Sequence, residues 1–291
     1  MSLTTIPNSM REAYPFQSNF LDIDKKQYHY LDEGEGEAVV MVHGNPTWSF
    51  YYRELVKELK QTNRVIVPDH IGCGFSDKPQ DYDYTLENHI ANLDKLIKFL
   101  DLKKITLVVH DWGGAIGFGI ATKYPDLIRR IVILNTAAFH IDRIPFRIGL
   151  CKNKLFGRFL VKNLNGFAWP ATFMSTTKKL ASDIKKAYLF PYNSVKNRIA
   201  VAEFVQDIPM KSDHRSFNTL NEIENNLSKV TCPKIILWGG KDFCFNDLFF
   251  KKWREVYPDA YYKYYKDAGH YVLEDEKKDV IHNIKDFMDR V

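Results

Sequence analysis

The stretch Ile105-Thr-Leu-Val-Val-His-Asp-Trp-Gly-Gly-Ala-Ile-Gly117 constrains the fold more than any other part of the chain. Ile105 to Val109 is a short apolar, β-branched run, the mark of a buried strand. Gly113, Gly114 and Gly117 follow at once and lead into Ala-Ile-Gly-Phe-Gly-Ile-Ala-Thr-Lys, a helical run. A strand that becomes a helix within two or three residues needs a strained turn, with small residues on both sides. This is the nucleophile elbow, usually written G-x-S-x-G, which lifts one side chain clear of the sheet edge. Here the residue at the tip is Asp111.

A serine at that position must lose a proton before it attacks. Aspartate, with an ordinary pKa of about 3.9, is already an anion at neutral pH. Its attack on an ester carbonyl would give an anhydride, which gains little. Attack on a saturated carbon bearing a leaving group gives an alkyl ester of Asp111. A histidine is then free to activate water against that ester's carbonyl. The competing reading is an aspartate that merely caps the following helix.

Around the elbow the chain alternates strands and helices. Phe20-Leu-Asp-Ile-Asp and Gln27-Tyr-His-Tyr-Leu-Asp suggest a hairpin, and Gly34-Glu-Gly-Glu a turn. Ala38 to His43 and Arg64 to Asp69 are buried strands, with a helix to Leu59 between them. Leu86, Ile90, Leu93, Ile97 and Leu100 have helical spacing. The strand Ile131-Val-Ile-Leu-Asn-Thr follows the elbow helix. From Phe139 to about Ser228 there is no apolar β run, only helical patterns rich in Phe, Lys and Arg. Lys234-Ile-Ile-Leu-Trp-Gly-Gly and Ala260-Tyr-Tyr-Lys-Tyr-Tyr then restore the strands. The expectation is an α/β fold with a mostly parallel central sheet flanked by helices. Residues 1–138 and 229–291 form its main domain, and 139–228 an inserted helical cap.

With 291 residues, 45% of them hydrophobic, the chain can bury a large core. Its four cysteines are scattered, with no metal-ligand spacing, which suggests free thiols in a reducing compartment. No apolar leader segment and no run of 18 apolar residues is present. A soluble cytoplasmic protein without metal or cofactor is expected. Between Ile141 and Phe190 ten Lys or Arg face two acids, Asp142 and Asp183. Phosphate binding is one reading of such a segment, but with no nucleic-acid motif the charge is read as a solvated helix face.

The elbow needs a histidine, and an acid to hold its tautomer. His270, in Asp267-Ala-Gly-His-Tyr-Val-Leu-Glu, follows the last strand with small residues ahead of it. His43, His70 and His110 also border strand ends. His110 should point away from the nucleophile, and His43 should brace its own turn. Asp242 follows Ile-Leu-Trp-Gly-Gly-Lys at the carboxyl end of a strand, where catalytic groups of open α/β sheets gather. Asp247 is better suited to capping the helix at Leu248. The order Asp111, Asp242, His270 is the nucleophile–acid–histidine order of the α/β-hydrolases. Backbone N–H groups of the His43-Gly-Asn-Pro segment and of Trp112 suit the oxyanion side. The side chains of Asn45 and Trp112 add two neutral N–H donors aimed at a departing anion.

His43-Gly-Asn-Pro-Thr-Trp, the Gly-Cys-Gly-Phe-Ser-Asp-Lys-Pro loop, His110-Asp-Trp-Gly-Gly and Asp267-Ala-Gly-His resemble the haloalkane dehalogenases of the α/β-hydrolase superfamily. The resemblance covers nearly the whole chain. It implies Asp111 as nucleophile, His270 as base, Asp242 as acid, and Asn45 and Trp112 as halide ligands. One dehalogenase branch takes its acid from a glutamate after the strand preceding the cap. Here that strand ends Leu134-Asn135-Thr136, which favours Asp242 and the third subfamily. The implied activity is hydrolysis of carbon–halogen bonds, with a halogenated alkane, water and halide as partners.

The same motifs, with Asn135-Thr-Ala-Ala-Phe and Trp238-Gly-Gly-Lys-Asp-Phe-Cys-Phe, also resemble the cis-β-lactone decarboxylases of bacterial long-chain olefin biosynthesis. That is the alternative function. Epoxide hydrolases share the His-Asp-Trp-Gly elbow and use cap tyrosines, for which Tyr188 and Tyr192 are candidates. A non-catalytic hydrolase-fold receptor has no use for a charged, strained elbow. In the cap, Phe156, Phe159, Leu160, Phe167 and Trp169 are interleaved with Lys and Arg. They either pack on the sheet domain, line a long tunnel, or form a homo-oligomer or weak membrane-association surface.

Overall fold

The computed structural model describes residues 8–141, 144–153 and 156–291. The first seven residues of the stretch read as lacking a leader, and the acid Asp142, lie outside the described residues. Eight strands form one sheet: β1 (Asn19–Ile23), β2 (Lys26–Glu33), β3 (Glu37–Val42), β4 (Asn63–Pro68), β5 (Ile105–Asp111), β6 (Ile128–Thr136), β7 (Lys234–Gly239) and β8 (Tyr261–Tyr265). Their spatial order is β1-β2-β4-β3-β5-β6-β7-β8. β1 and β2 form the expected hairpin, and β2 runs antiparallel to β4. All pairs from β4 through β8 are parallel.

Alternation along the inner strands explains the three layers. Val39 and Met41 belong to the core on one face, with Leu55 and Leu59 of helix Arg53–Leu59 and Ile284 of helix Lys277–Arg290. Val40 and Val42 belong to the core on the other face, with Leu93 of helix Leu86–Phe99 and Ile116 of helix Trp112–Lys123. A strand buried on both faces reads as an unbroken apolar run, as β3 and β5 do. β6 begins three residues before the apolar run at Ile131. Arg129 and Arg130 mask that start, and both pair with Glu37.

The described residues between β6 and β7 contain helices and no strand. These helices reach over the carboxyl edge of the sheet. Asn45, just past β3, donates from Nδ2 to the Val201 carbonyl at 3.1 Å, and the Tyr192 hydroxyl donates to the Thr47 carbonyl at 3.3 Å. Among the described residues no helix is long and apolar enough to cross a membrane.

Candidate active site

Asp111 closes β5 with φ 54° and ψ −128°. A non-glycine residue held there costs on the order of 1–3 kcal/mol, so the surroundings must enforce it. They do so by close approach. A Cβ on Gly113 would stand 1.9 Å from the Val42 carbonyl oxygen, and one on Gly114 1.9 Å from Thr136 Oγ1. Only glycine lets the helix after the elbow settle between the ends of β3 and β6. The Thr136 hydroxyl also donates to the Asp111 carbonyl. Asp111 occupies the N-cap position, but its side chain makes no capping hydrogen bond. It faces a cavity instead, which removes the capping reading.

The three residues singled out in the sequence come together at the carboxyl edge. His270 Nδ1 lies 2.7 Å from Asp242 Oδ2, and its Nε2 lies 3.5 Å from Asp111 Oδ2. All three are buried. Asp242 is held from several directions. Its Oδ1 accepts from the backbone N–H of Cys244 and Phe245 at 2.7 and 3.0 Å, and Oδ2 accepts from Asn135 Nδ2 at 3.0 Å. The Phe245 ring stacks on His270 at 5.5 Å between centroids. Burial disfavours the His270 imidazolium. The Asp242 charge, hydrogen bonds to Asp111 and Asp242, and the Asp111 charge outweigh it, so its pKa rises to about 10. Esterifying Asp111 would delete that residue's share and loosen the proton.

The rival histidines are engaged elsewhere. His110 Nε2 lies 3.0 Å from the His270 carbonyl oxygen, a contact that occupies it away from Asp111. His43 Nδ1 donates to the Gly44 carbonyl at 2.7 Å while its Nε2 accepts from the His70 backbone N–H at 3.1 Å. That imidazole braces its own turn. Burial lowers the pKa of all three, so they stay neutral. Asp247 corrects the sequence reading, because Asn246 caps the helix by accepting from the Leu248 N–H at 3.0 Å. Asp247 accepts from the Tyr264 hydroxyl instead.

Asn45 touches Asp111 through its backbone N–H, which donates to Oδ1 at 2.6 Å. Its side-chain amide is partly committed, since Nδ2 donates to Val201, while the buried Oδ1 has no partner. Trp112 is half-buried and lines the cavity. Both residues line the cavity with Asp111, but one amide hydrogen of Asn45 is spent on the helices above. Tyr188 donates to Glu274 and Tyr192 to Thr47, and neither lines the cavity. The epoxide-hydrolase expectation thus loses both of its proton donors.

The cavity above Asp111 measures about 390 Å³, with Asp111, Asn45, Trp112 and His270 at its base. Its walls are largely apolar and come from the inserted helices, among them Ile148, Leu160, Phe167, Met174 and Met210. An anion beside an imidazolium, under an apolar chamber, is equipped to attack a hydrophobic substrate at saturated carbon. In the sequence Asn135 marked a missing carboxylate and opened one of the decarboxylase-like motifs, with no structural role assigned to its side chain. Its side chain in fact ties β6 to β7, accepting from the Gly239 N–H at 2.8 Å while donating to Asp242. An amide directly after the apolar run Ile131-Val-Ile-Leu was the available signal.

Residues 37–277 match the family model described as alpha/beta hydrolase fold. The chain is 49% identical to a cis-3-alkyl-4-alkyloxetan-2-one decarboxylase of Shewanella oneidensis, over 94% of this chain and 89% of that one. It is 39% identical to a decarboxylase of the same name from Xanthomonas campestris, over 96% and 98% of the two chains. Among solved structures it resembles the haloalkane dehalogenase DatA of Agrobacterium tumefaciens. The TM-score there is 0.85 at 25% identity, covering 94% of this chain and 96% of the other.

Proposed function

The chain belongs to the alpha/beta hydrolase fold family, and within it we propose that it is a decarboxylase of cis-β-lactones carrying alkyl chains at C3 and C4. The observation that carries this reading is its near-full-length similarity to two decarboxylases of that substrate, at 49% and 39% identity. This reverses the order of the sequence expectations, which put haloalkane dehalogenation first. The active-site motifs of the two groups overlap, so those motifs alone had not separated them. The cavity supports the change, because apolar walls on several inserted helices suit two alkyl chains.

The chemistry follows from an anionic nucleophile. Asp111 Oδ2 attacks C4, the saturated ring carbon that bears the ring oxygen. The C4–O bond breaks and its electron pair leaves as the carboxylate on C3, with Asp111 now esterified to C4. The C3–carboxylate bond then breaks, and carbon dioxide departs. Its electrons form the C3=C4 double bond as the C4–O bond to Asp111 breaks, restoring the carboxylate. No water and no net proton are consumed. Inversion at C4 followed by anti elimination converts a cis ring into a cis olefin.

In this scheme the His270 imidazolium, held by Asp242, stabilises both departing carboxylates: that of the opened ring, then that of Asp111. The Trp112 indole N–H and the free amide hydrogen of Asn45 add neutral donors, each worth roughly 1.5–3 kcal/mol toward a charged acceptor. The helical insert serves as the cap that encloses the chains. Haloalkane hydrolysis stays as the second reading, favoured by His270 Nε2 facing Asp111 at 3.5 Å. There His270 would give up its proton after esterification and activate water. Parallel incubations with a cis-3,4-dialkyl β-lactone and a 1-bromoalkane separate the two. Olefin from the first with little bromide from the second is expected, and the reverse pattern overturns the proposal.

A further inference from the structure

Of the fourteen large apolar side chains left exposed among the described residues, seven fall between Phe146 and Phe173. Six of them sit on three successive helices, Phe146–Lys152, Phe156–Asn163 and Ala168–Met174, and the seventh, Leu164, directly follows the second helix. Phe146 with Leu150, Phe156 with Phe159, and Trp169 with Phe173 are spaced three or four residues apart, so each helix presents one apolar stripe outward. Phe146 is 79% exposed and Trp169 57%, values that leave these rings with little to pack against. Trp169 and Phe173 rings meet edge-on at 5.0 Å. Large apolar side chains concentrated in one segment of the surface mark an interaction site more often than a bare face.

Two further features say what covers this face. From Ile144 to Met174 the sequence holds five Lys or Arg and no acid. Among the described ones, Arg158 is paired with Glu203 and Lys152 Nζ donates to the Gln206 carbonyl. The cavity also reaches the surface here, because Arg147 and Leu150 both line it and are both exposed. We propose that these three helices dock on an anionic lipid bilayer, with the cavity mouth turned to the membrane. Aromatic rings enter the headgroup region while basic side chains meet the anionic lipids. A lipid-like substrate then passes from bilayer to Asp111 without crossing water. That last step rests on the β-lactone reading, whereas the docking itself does not.

The test is flotation of the purified protein with phosphatidylethanolamine–phosphatidylglycerol vesicles and with pure phosphatidylcholine vesicles. Trp169 is the one exposed tryptophan of the five, so its emission should shift to the blue on docking, a shift abolished in Trp169→Phe. Wild type should float with the anionic vesicles and stay largely behind with the neutral ones. Phe156→Ser/Phe159→Ser/Trp169→Ser should lose at least tenfold in bound fraction, with circular dichroism and turnover of a short, water-soluble β-lactone unchanged. Wild type that ignores both vesicles, or a triple variant that floats as well as wild type, overturns the proposal. So does light scattering that shows a dimer, abolished in the triple variant, without flotation, since the face then belongs to a second copy. Flotation without any lactone turnover leaves the docking standing and removes the β-lactone reading instead.

Discussion

His270 Nδ1 lies 2.7 Å from Asp242 Oδ2, a contact that turns Nε2 toward the carboxylate of Asp111. The imidazole is therefore oriented by one carboxylate and faces the other. Removing it leaves the Asp111 carboxylate in place but takes away the group that lies beside it and could activate water on an ester. Under the second reading, haloalkane hydrolysis, mixing His270→Ala with a 1-bromoalkane should leave an alkyl ester on Asp111. Intact mass and peptide mapping would show it, and an unmodified Asp111 alongside wild-type bromide release would contradict the assignment of the nucleophile.

Trp112→Phe keeps most of the apolar area beside Asp111 and deletes the indole N–H. One hydrogen bond to a charged acceptor is worth roughly 1.5–3 kcal/mol. Turnover should fall by about one to two orders of magnitude with the circular dichroism spectrum intact. An unchanged rate would mean that Trp112 only packs.

The pKa of His270, raised to about 10, sets a pH dependence. Because the folded value lies above the ordinary histidine value of about 6.5, the protonated form stabilises the fold. That contribution is complete below about pH 6.5 and is lost as pH rises through about 10. If the imidazolium assists the departing carboxylates, kcat/KM should hold through neutral pH and fall on an alkaline limb near pH 10. A rise in kcat/KM across that range would instead mark a neutral His270 acting as base in the free enzyme.

The elbow was legible in the sequence because its glycines are demanded by fixed neighbours. Gly113 lies against the Val42 carbonyl and Gly114 against Thr136, and no other residue type fits. The β1–β2 hairpin was legible as two strand runs. Its turn residues Asp24 and Lys25, with φ of 52° and 65°, lack the glycine that usually marks such a turn. The bracing by Asn135 was hidden because an amide's partners depend on which strand lies alongside, here β7 with Leu134 opposite Leu237. The cap aromatics were hidden for a different reason. Leu160 and Phe167 line the cavity while Phe156, Phe159 and Trp169 face outward. Helix phase and tertiary docking, rather than residue type, make that division.

The most direct test of the central claim is many turnovers of a cis-3,4-dialkyl β-lactone in ¹⁸O-labelled water, followed by mass analysis of the peptide bearing Asp111. Decarboxylation through the ester breaks the bond between C4 and the Asp111 oxygen, so no water oxygen enters the enzyme. The expected result is a cis olefin together with an unlabelled Asp111. A labelled Asp111 with a β-hydroxy acid as product would show that water attacks the ester, and would contradict the account.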